Sequence, residues 1–245
     1  MSAPSASKEA NVADPFTLIR VIDTETTGID DPAEMVEIGW TDVRLFPDGW
    51  QIEHGPQAYV VNPGMPIGFP AMAVHHITED ECRFGADPDE VRAQVSSGAD
   101  IFCAHNWQFD SRFLKTQKPY ICTLKAARVI WPDLQGHSNG SIRYELGLVP
   151  HDDERAMPSH RAGPDTWVTA HILLKLLETH TVEQLLDISA NPIRLLRFPG
   201  GNKHRGKLFS EIARQDPGYL RWVIDKSEFS EDVKFSSAAS LREAG

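Results

Sequence analysis

Three short stretches of this chain place acids where acids can act together. In Val21-Ile22-Asp23-Thr24-Glu25-Thr26-Thr27-Gly28, two carboxylates stand at i and i+2. In an extended strand that spacing turns both side chains to one face. Adjacent carboxylates repel, and each raises the other's pKa unless a cation fills the gap. A hard divalent cation such as Mg²⁺, which takes oxygen ligands, is the natural filler. Asn106, a helix-cap residue type, and Asp110 share one face of an early helical turn. Gly163-Pro164 has the chemistry of a helix start, which leaves His160 on the approach and Asp165 in the first turn. Singly, each has a plain alternative: a solvated strand-end pair, an acid favouring a helix dipole, an exposed loop histidine. Together and in order they supply four carboxylates and one imidazole. That set suits phosphodiester hydrolysis assisted by two cations, with a base that titrates near neutral pH.

Elements able to hold these residues are legible around them. Residues 17–22 form a short β-rich run that delivers Asp23 at its end. Residues 35–45 and 51–61 read as further strands, joined by a Pro47-Asp48-Gly49 turn. Residues 62–70 read as loop, and 87–95 as a helix capped by Asp87 with Pro88 in its first turn. A brief apolar strand at 101–104 leads into a helix from Asn106 to about residue 115, then a strand at 120–122 and a helix at 124–131. The strongest helical period runs over 164–178, with Trp167, Ala170, Leu173, Leu174 and Leu177 on one face, and a second helix covers 182–188. Strands first, with helices between the later ones, predict an α/β fold with a mixed sheet.

The 245 residues carry a net charge of −11, which argues against a protein that simply coats nucleic acid. The distribution is uneven. Residues 194–226 hold eight Lys or Arg against three Asp or Glu, a local +5 that leaves −16 for the remainder. This marks a small basic module behind an acidic body, with anchors at Phe198, Leu208, Phe209, Ile212, Tyr219, Leu220 and Trp222. The expected division is a disordered tail at 1–15, a main domain at 16–190, the module at 194–226 and a polar tail at 227–245. Within the module, Lys203 and Arg205 stand between glycines and are candidates for phosphate contact; a solvated basic turn or a protein-docking surface are the alternatives. Cys82, Cys103 and Cys122 form no C-x-x-C pair and predict reduced, buried thiols and a cytoplasmic setting. No run approaches the ~20 apolar residues of a membrane-spanning helix.

The order D-x-E, N-x-x-x-D, H-x-x-x-x-D resembles that of the DEDDh exonucleases, relatives of the proofreading subunit of bacterial DNA polymerase. The likeness covers about residues 18–177, with DTETTG, VEIG, HHIT, AHN-x-x-FD and the final His…Asp in sequence. Gly163-Pro164 departs from the family's helix-favouring pair before the last Asp. The resemblance implies a ribonuclease H-like fold, a mixed five-stranded sheet flanked by helices, and 3′→5′ exonuclease activity. It implies two Mg²⁺ ions, replaceable by Mn²⁺, on Asp23, Glu25, Asp110 and Asp165, with His160 as general base. Thr26, Thr27 and Gly28 would lie beside the terminal nucleotide and its 3′-hydroxyl, and Ile29 would offer an apolar surface to its base. Asn106, His75 and Phe109 would be substrate-side neighbours, although a buried histidine and a core phenylalanine are equally good readings of the last two. The partner implied is a nucleic acid 3′ end, DNA ahead of RNA. An RNA-trimming enzyme of the same superfamily and a catalytically inactive adaptor are the alternatives.

Overall fold

The structure, a computed structural model, describes residues 16–200 and 203–245; the expected tail at 1–15 lies outside them. Its centre is β1 (Leu18–Thr26), the middle strand of a five-stranded sheet ordered β3-β2-β1-β4-β5. β2 (Met35–Phe46) and β3 (Gly49–Val60) run antiparallel beside it, turning at Pro47-Asp48 where Gly49 takes φ 121°. β4 (Ile101–Ala104) and β5 (Tyr120–Cys122) continue the sheet on the other side as parallel strands. The fold is the ribonuclease H-like mixed sheet that the sequence led us to expect. Between β3 and β4 come α1 (Phe69–His75), α2 (Glu79–Cys82) and α3 (Pro88–Ser96), capped by Asp87; α4 (Trp107–Leu114) joins β4 to β5. α1 starts within the stretch expected as loop, with its proline in the first turn, where a missing N–H costs nothing.

The alternation of β1 separates two cores. Ile19 and Val21 enter a core built with α5 (Thr123–Ile130), α6 (Asn139–Glu145), α7 (Ala162–Leu177) and α8 (Val182–Ala190). Ile22 enters a second core on the opposite face with α3 and α4. Ile19, Val21 and Ile22 are fully buried, each contributing about 1.5–3 kcal/mol. A slip of one residue would reverse all three. The same apolar residues therefore fix the face to which Asp23 and Glu25 point.

β1 does not stop at Asp23 as expected. Asp23, Thr24 and Glu25 stay in the ladder opposite Gly39, Ile38 and Glu37 of β2. β4, by contrast, ends at Ala104, and its last partnership with β1 is Cys103 with Val21. The end of β1 thus projects past its parallel neighbour. That is the place where open α/β sheets put their ligands.

α7 closes on β2 through residues 37, 39 and 41, which share one face. Thr41 Oγ1 lies 2.9 Å from Thr166 Oγ1. At Gly39, an added Cβ would fall 2.5 Å from the Ala162 carbonyl oxygen and the Gly163 nitrogen. The helix begins at Ala162, so Gly163-Pro164 sits inside its first turn, where an amide hydrogen has no partner to lose.

The basic segment is larger than expected. α9 (Phe209–Gln215), α10 (Pro217–Lys226) and α11 (Glu231–Ala244) share a core of Ile193, Leu195, Phe198, Phe209, Ile212, Leu220, Val223 and Val233. The supposed polar tail at 227–245 is therefore mostly a packed helix. Its polarity concealed this because Ser236, Ser237 and Ser240 are buried with their hydroxyls bonded; Ser236 Oγ, for one, accepts from Leu195 N at 2.8 Å.

Gly39→Ala is expected to lower the unfolding free energy by about 1–3 kcal/mol, the usual range for overpacking. Urea denaturation of the variant checks this, and an unchanged midpoint would show that α7 has room to retreat from β2.

Candidate active site

Acids from both helical layers meet at the projecting end of β1. Asp23 and Glu25 point to the α7 side, where Asp165 comes from the first turn of α7. One oxygen from each of Asp23, Glu25 and Asp165 lies within 4.8 Å of the other two. Asp110 arrives from the opposite layer, on the helix that starts where β4 stops. It is buried, and Thr24 Oγ1 donates to its Oδ1 at 2.8 Å. Thr24 points away from Asp23 and Glu25, as strand alternation requires, and so joins the two layers.

Burial and mutual repulsion act on these acids in the same sense. Asp23 is held well above the usual carboxylate range by burial first, then by Asp110, Asp165, Glu25 and Glu37. Glu25 is pushed up to about 8 by burial, then by Asp165, Glu37 and Asp110, with Arg161 opposing. Burial raises Asp110 to about 7 against the pull of the Thr24 hydroxyl. Asp165 is also raised by burial, and the His160 N–H opposes the shift. A divalent cation would reverse each of these effects, because an adjacent positive charge favours the ionised form.

Glu25 and Glu37 stand directly opposite one another across the β1–β2 ladder, a like-charge pair that is destabilising alone. Arg161 compensates it. The Arg161 Nε lies 3.1 Å from both Glu37 oxygens, and the Ala162 N–H donates to Glu37 Oε2 at 2.7 Å. The buried Glu37 carboxylate thus holds the start of α7, and with it Asp165. Sequence reasoning assigned no role to Thr24, Glu37 or Arg161. For Glu37 the available signal was its place on β2, where pairing with β1 sets a second acid beside the first two.

His160 has φ 60° and is exposed, and its backbone N–H donates to Asp165 Oδ2 at 3.0 Å. Its ring makes no hydrogen bond among the described residues. The turn after β1 is held from three sides: Thr27 N donates to Glu34 O at 2.8 Å, Gly68 N to Thr27 O at 2.9 Å, and Arg112 Nη1 to Ile29 O at 2.8 Å. Thr26 is buried and donates to the Gly28 carbonyl at 2.7 Å. Beside Gly28 an added Cβ would meet nothing within 4 Å, and the Ile29 side chain is 75% exposed.

The other expected neighbours divide. Asn106 is exposed at the head of α4, but its side chain makes no capping bond. Phe109 is half-buried, 5.3 Å from the Phe113 ring. His75 takes the reading of a buried histidine: Nδ1 accepts from Ile77 N at 2.9 Å and Nε2 lies 3.2 Å from the Thr26 carbonyl, so one nitrogen holds the chain leaving α1 and the other meets the turn. Lys203 is ion-paired to Asp216 at 2.6 Å, whereas Arg205 is exposed and makes no ion pair among the described residues.

A family model described as "Exonuclease" matches residues 21–173, spanning every one of the five expected catalytic positions. The chain belongs to this exonuclease family and is a 3′→5′ exonuclease. It is 36% identical over 213 residues to exodeoxyribonuclease 10 of Escherichia coli, covering 85% of this chain and 91% of that protein. A solved structure titled exonuclease X in complex with 5′ overhanging duplex DNA superposes with a TM-score of 0.60 and 33% identity, covering 70% of this chain and 99% of that one. A DNA polymerase III subunit epsilon-like protein of Rhodobacter capsulatus is 31% identical over 170 residues, 64% of this chain but 23% of its own length. No helix among the described residues is long and apolar enough to cross a membrane.

The raised carboxyls have a consequence for stability. A group whose pKa rises on folding stabilises the fold while protonated, and that contribution is lost as pH climbs from its ordinary range through the raised value. Without metal, Asp23→Asn is therefore expected to be more stable than the parent protein by a margin that grows as pH rises above the ordinary carboxylate range. Thermal unfolding in EDTA across this window measures the margin. A constant or shrinking margin would mean that neither burial nor the neighbouring acids raise the Asp23 carboxyl on folding.

Proposed function

We propose that the chain is a metal-dependent exodeoxyribonuclease in which Asp23, Glu25, Asp110 and Asp165 hold two Mg²⁺ ions and His160 is the general base. The observation that carries this reading is the meeting of Asp23, Glu25 and Asp165 oxygens within 4.8 Å, with Asp110 beside them. The donors are all carboxylate oxygens, the hard set that Mg²⁺ prefers and Mn²⁺ accepts. Arg161, whose charge acts on Glu25, is engaged by Glu37. Cations bound there would polarise the scissile phosphate and lower the pKa of the attacking water.

The chain's own residues do the remainder. Asp165 fixes the backbone of His160, whose free ring can take a proton from water at the lip of the site. The Thr26–Ile29 turn receives the 3′-terminal nucleotide: the open space at Gly28 lets a strand come close, and the exposed Ile29 gives its base an apolar surface. Asn106 and Phe109 border the nucleotide from the Asp110 side, and Arg205 serves phosphates further along. DNA is favoured by the names of the relatives, an exodeoxyribonuclease and an exonuclease bound to a duplex whose 5′ overhang leaves a recessed 3′ end.

The test uses 5′-labelled DNA and RNA oligomers with Mg²⁺, with Mn²⁺ and in EDTA. DNA is expected to shorten stepwise from its 3′ end with either metal, and not at all in EDTA or with Asp23→Ala. His160→Ala is expected to lose about 10²–10⁴-fold in rate, the usual worth of a general base, while keeping its metal affinity. A near-parental rate would remove His160 from that role. Preferential cutting of RNA would redirect the reading to RNA trimming, and no cutting of either would leave an inactive adaptor.

A further inference from the structure

A cleft of about 590 Å³ lies between the exonuclease body and the segment that leads into the C-terminal helices. On the body side it is lined by Arg128 of α5 and by the loop between α5 and α6, on the other by residues 195–199 with Arg205 and Gly206. Arg128, Arg197 and Arg205 all line it, and among the described residues no aspartate or glutamate does. In a chain of net charge −11, an acid-free cleft with three arginines is a marked local reversal.

These cations are not neutralised within the protein. Arg128 and Arg205 make no hydrogen bond or ion pair among the described residues. Arg128 is half-buried, and burial lowers its pKa against the opposing field of Asp232. Asp232 is itself engaged, 3.5 Å from Lys125 Nζ and accepting from Ile193 N at 3.0 Å. A half-buried guanidinium that faces a cleft presents its donors to an anionic ligand there. Arg197 donates from Nη1 to the Gly206 carbonyl at 3.1 Å, which sets its place and leaves its charge uncompensated. His105 adds no charge, since burial pushes it down to about 4 and its Nε2 bonds the His137 carbonyl at 2.7 Å. Leu196, 39% exposed, gives the cleft an apolar surface as well.

The wall of the cleft is linked to both site-bearing helices. His105, on its wall, directly precedes Asn106 and α4, the carrier of Asp110. Ser138, also on its wall, caps α6; Asn139 then donates to Thr169 Oγ1 at 3.0 Å, and Thr169 Oγ1 donates to the Asp165 carbonyl at 2.9 Å. Its volume falls within the roughly 300–1,000 Å³ of small-ligand sites, enough for a nucleotide or two of one strand.

We propose that this cleft binds the phosphates of a single nucleic-acid strand, 5′ to the bond being cut, through Arg128, Arg197 and Arg205. The proposal rests on the exonuclease reading of the carboxylate site, because a strand whose 3′ end lies on those acids has only its 5′ portion left to place. The segment leading into the C-terminal helices then forms one wall of the substrate path.

Fluorescence anisotropy of a 5′-labelled single strand tests this, using the full chain in an Asp23→Ala background so that the strand stays intact. Each phosphate contact contributes about 0.7 to the slope of log affinity against log salt for single strands. Arg128→Gln with Arg197→Gln is expected to weaken binding and reduce the slope by roughly 1.4. The corresponding double Lys variant keeps both charges and is expected to keep the slope. Should the double Gln variant fail a thermal-unfolding check, Arg197→Gln alone at its exposed site is expected to remove about 0.7. An unchanged slope in a folded Gln variant, or a slope lost equally in the Lys variant, would overturn the cleft proposal. Absence of binding by the parent would instead overturn the nuclease reading beneath it.

Discussion

Carboxylates whose oxygens lie within 4.8 Å of one another repel, and a fold that keeps them there must supply the compensation from elsewhere. Here it comes from the sheet and the two layers packed on it. Ile19, Val21 and Ile22 lock the facing of β1, and the ladder with β2 carries the strand past the end of β4. Asp23 and Glu25 are consequently presented from a backbone that cannot turn them away. α4 and α7 each begin beside that projection, so Asp110 and Asp165 both come from first turns.

The clamp between Glu37, Arg161 and the Ala162 N–H is the second condition. It neutralises the acid opposite Glu25, occupies Arg161, and sets the origin of the helix that bears Asp165. Gly39, two residues along the same face, makes room for the approach. One β2 face of Glu, Gly and Thr thus does for α7 what the Thr24 hydroxyl does for Asp110. The result is a strongly acidic site that lacks its own cation. The acid-free cleft beside it has the opposite imbalance, and a polyanion with divalent cations answers both.

Much of this was legible in the sequence where the determinant was local. The i, i+2 spacing of Asp23 and Glu25 puts both on one face of any strand, and Gly163-Pro164 marks a helix start under any tertiary arrangement. The strand end was not legible, because the polar residues from Asp23 onward look like an exit and only the ladder with β2 shows that they remain in the sheet. His75 depended on a partner 49 residues away in the chain, the Thr26 carbonyl. Lys203 looked free because Asp216, its ion-pair partner, belongs to the start of another helix. α11 was hidden by composition: small hydroxyl side chains can be buried once their groups are bonded, and hydropathy does not record the bonding.

Four acids placed in this way should form one site completed by cations. Titration of the metal-free chain with Mn²⁺, with the free ion followed by electron paramagnetic resonance, tests it most directly. Uptake of about two ions per chain is predicted, as a two-metal site requires, with loss of uptake on Asp23→Ala. No uptake, or uptake that survives the removal of Asp23, would contradict the account.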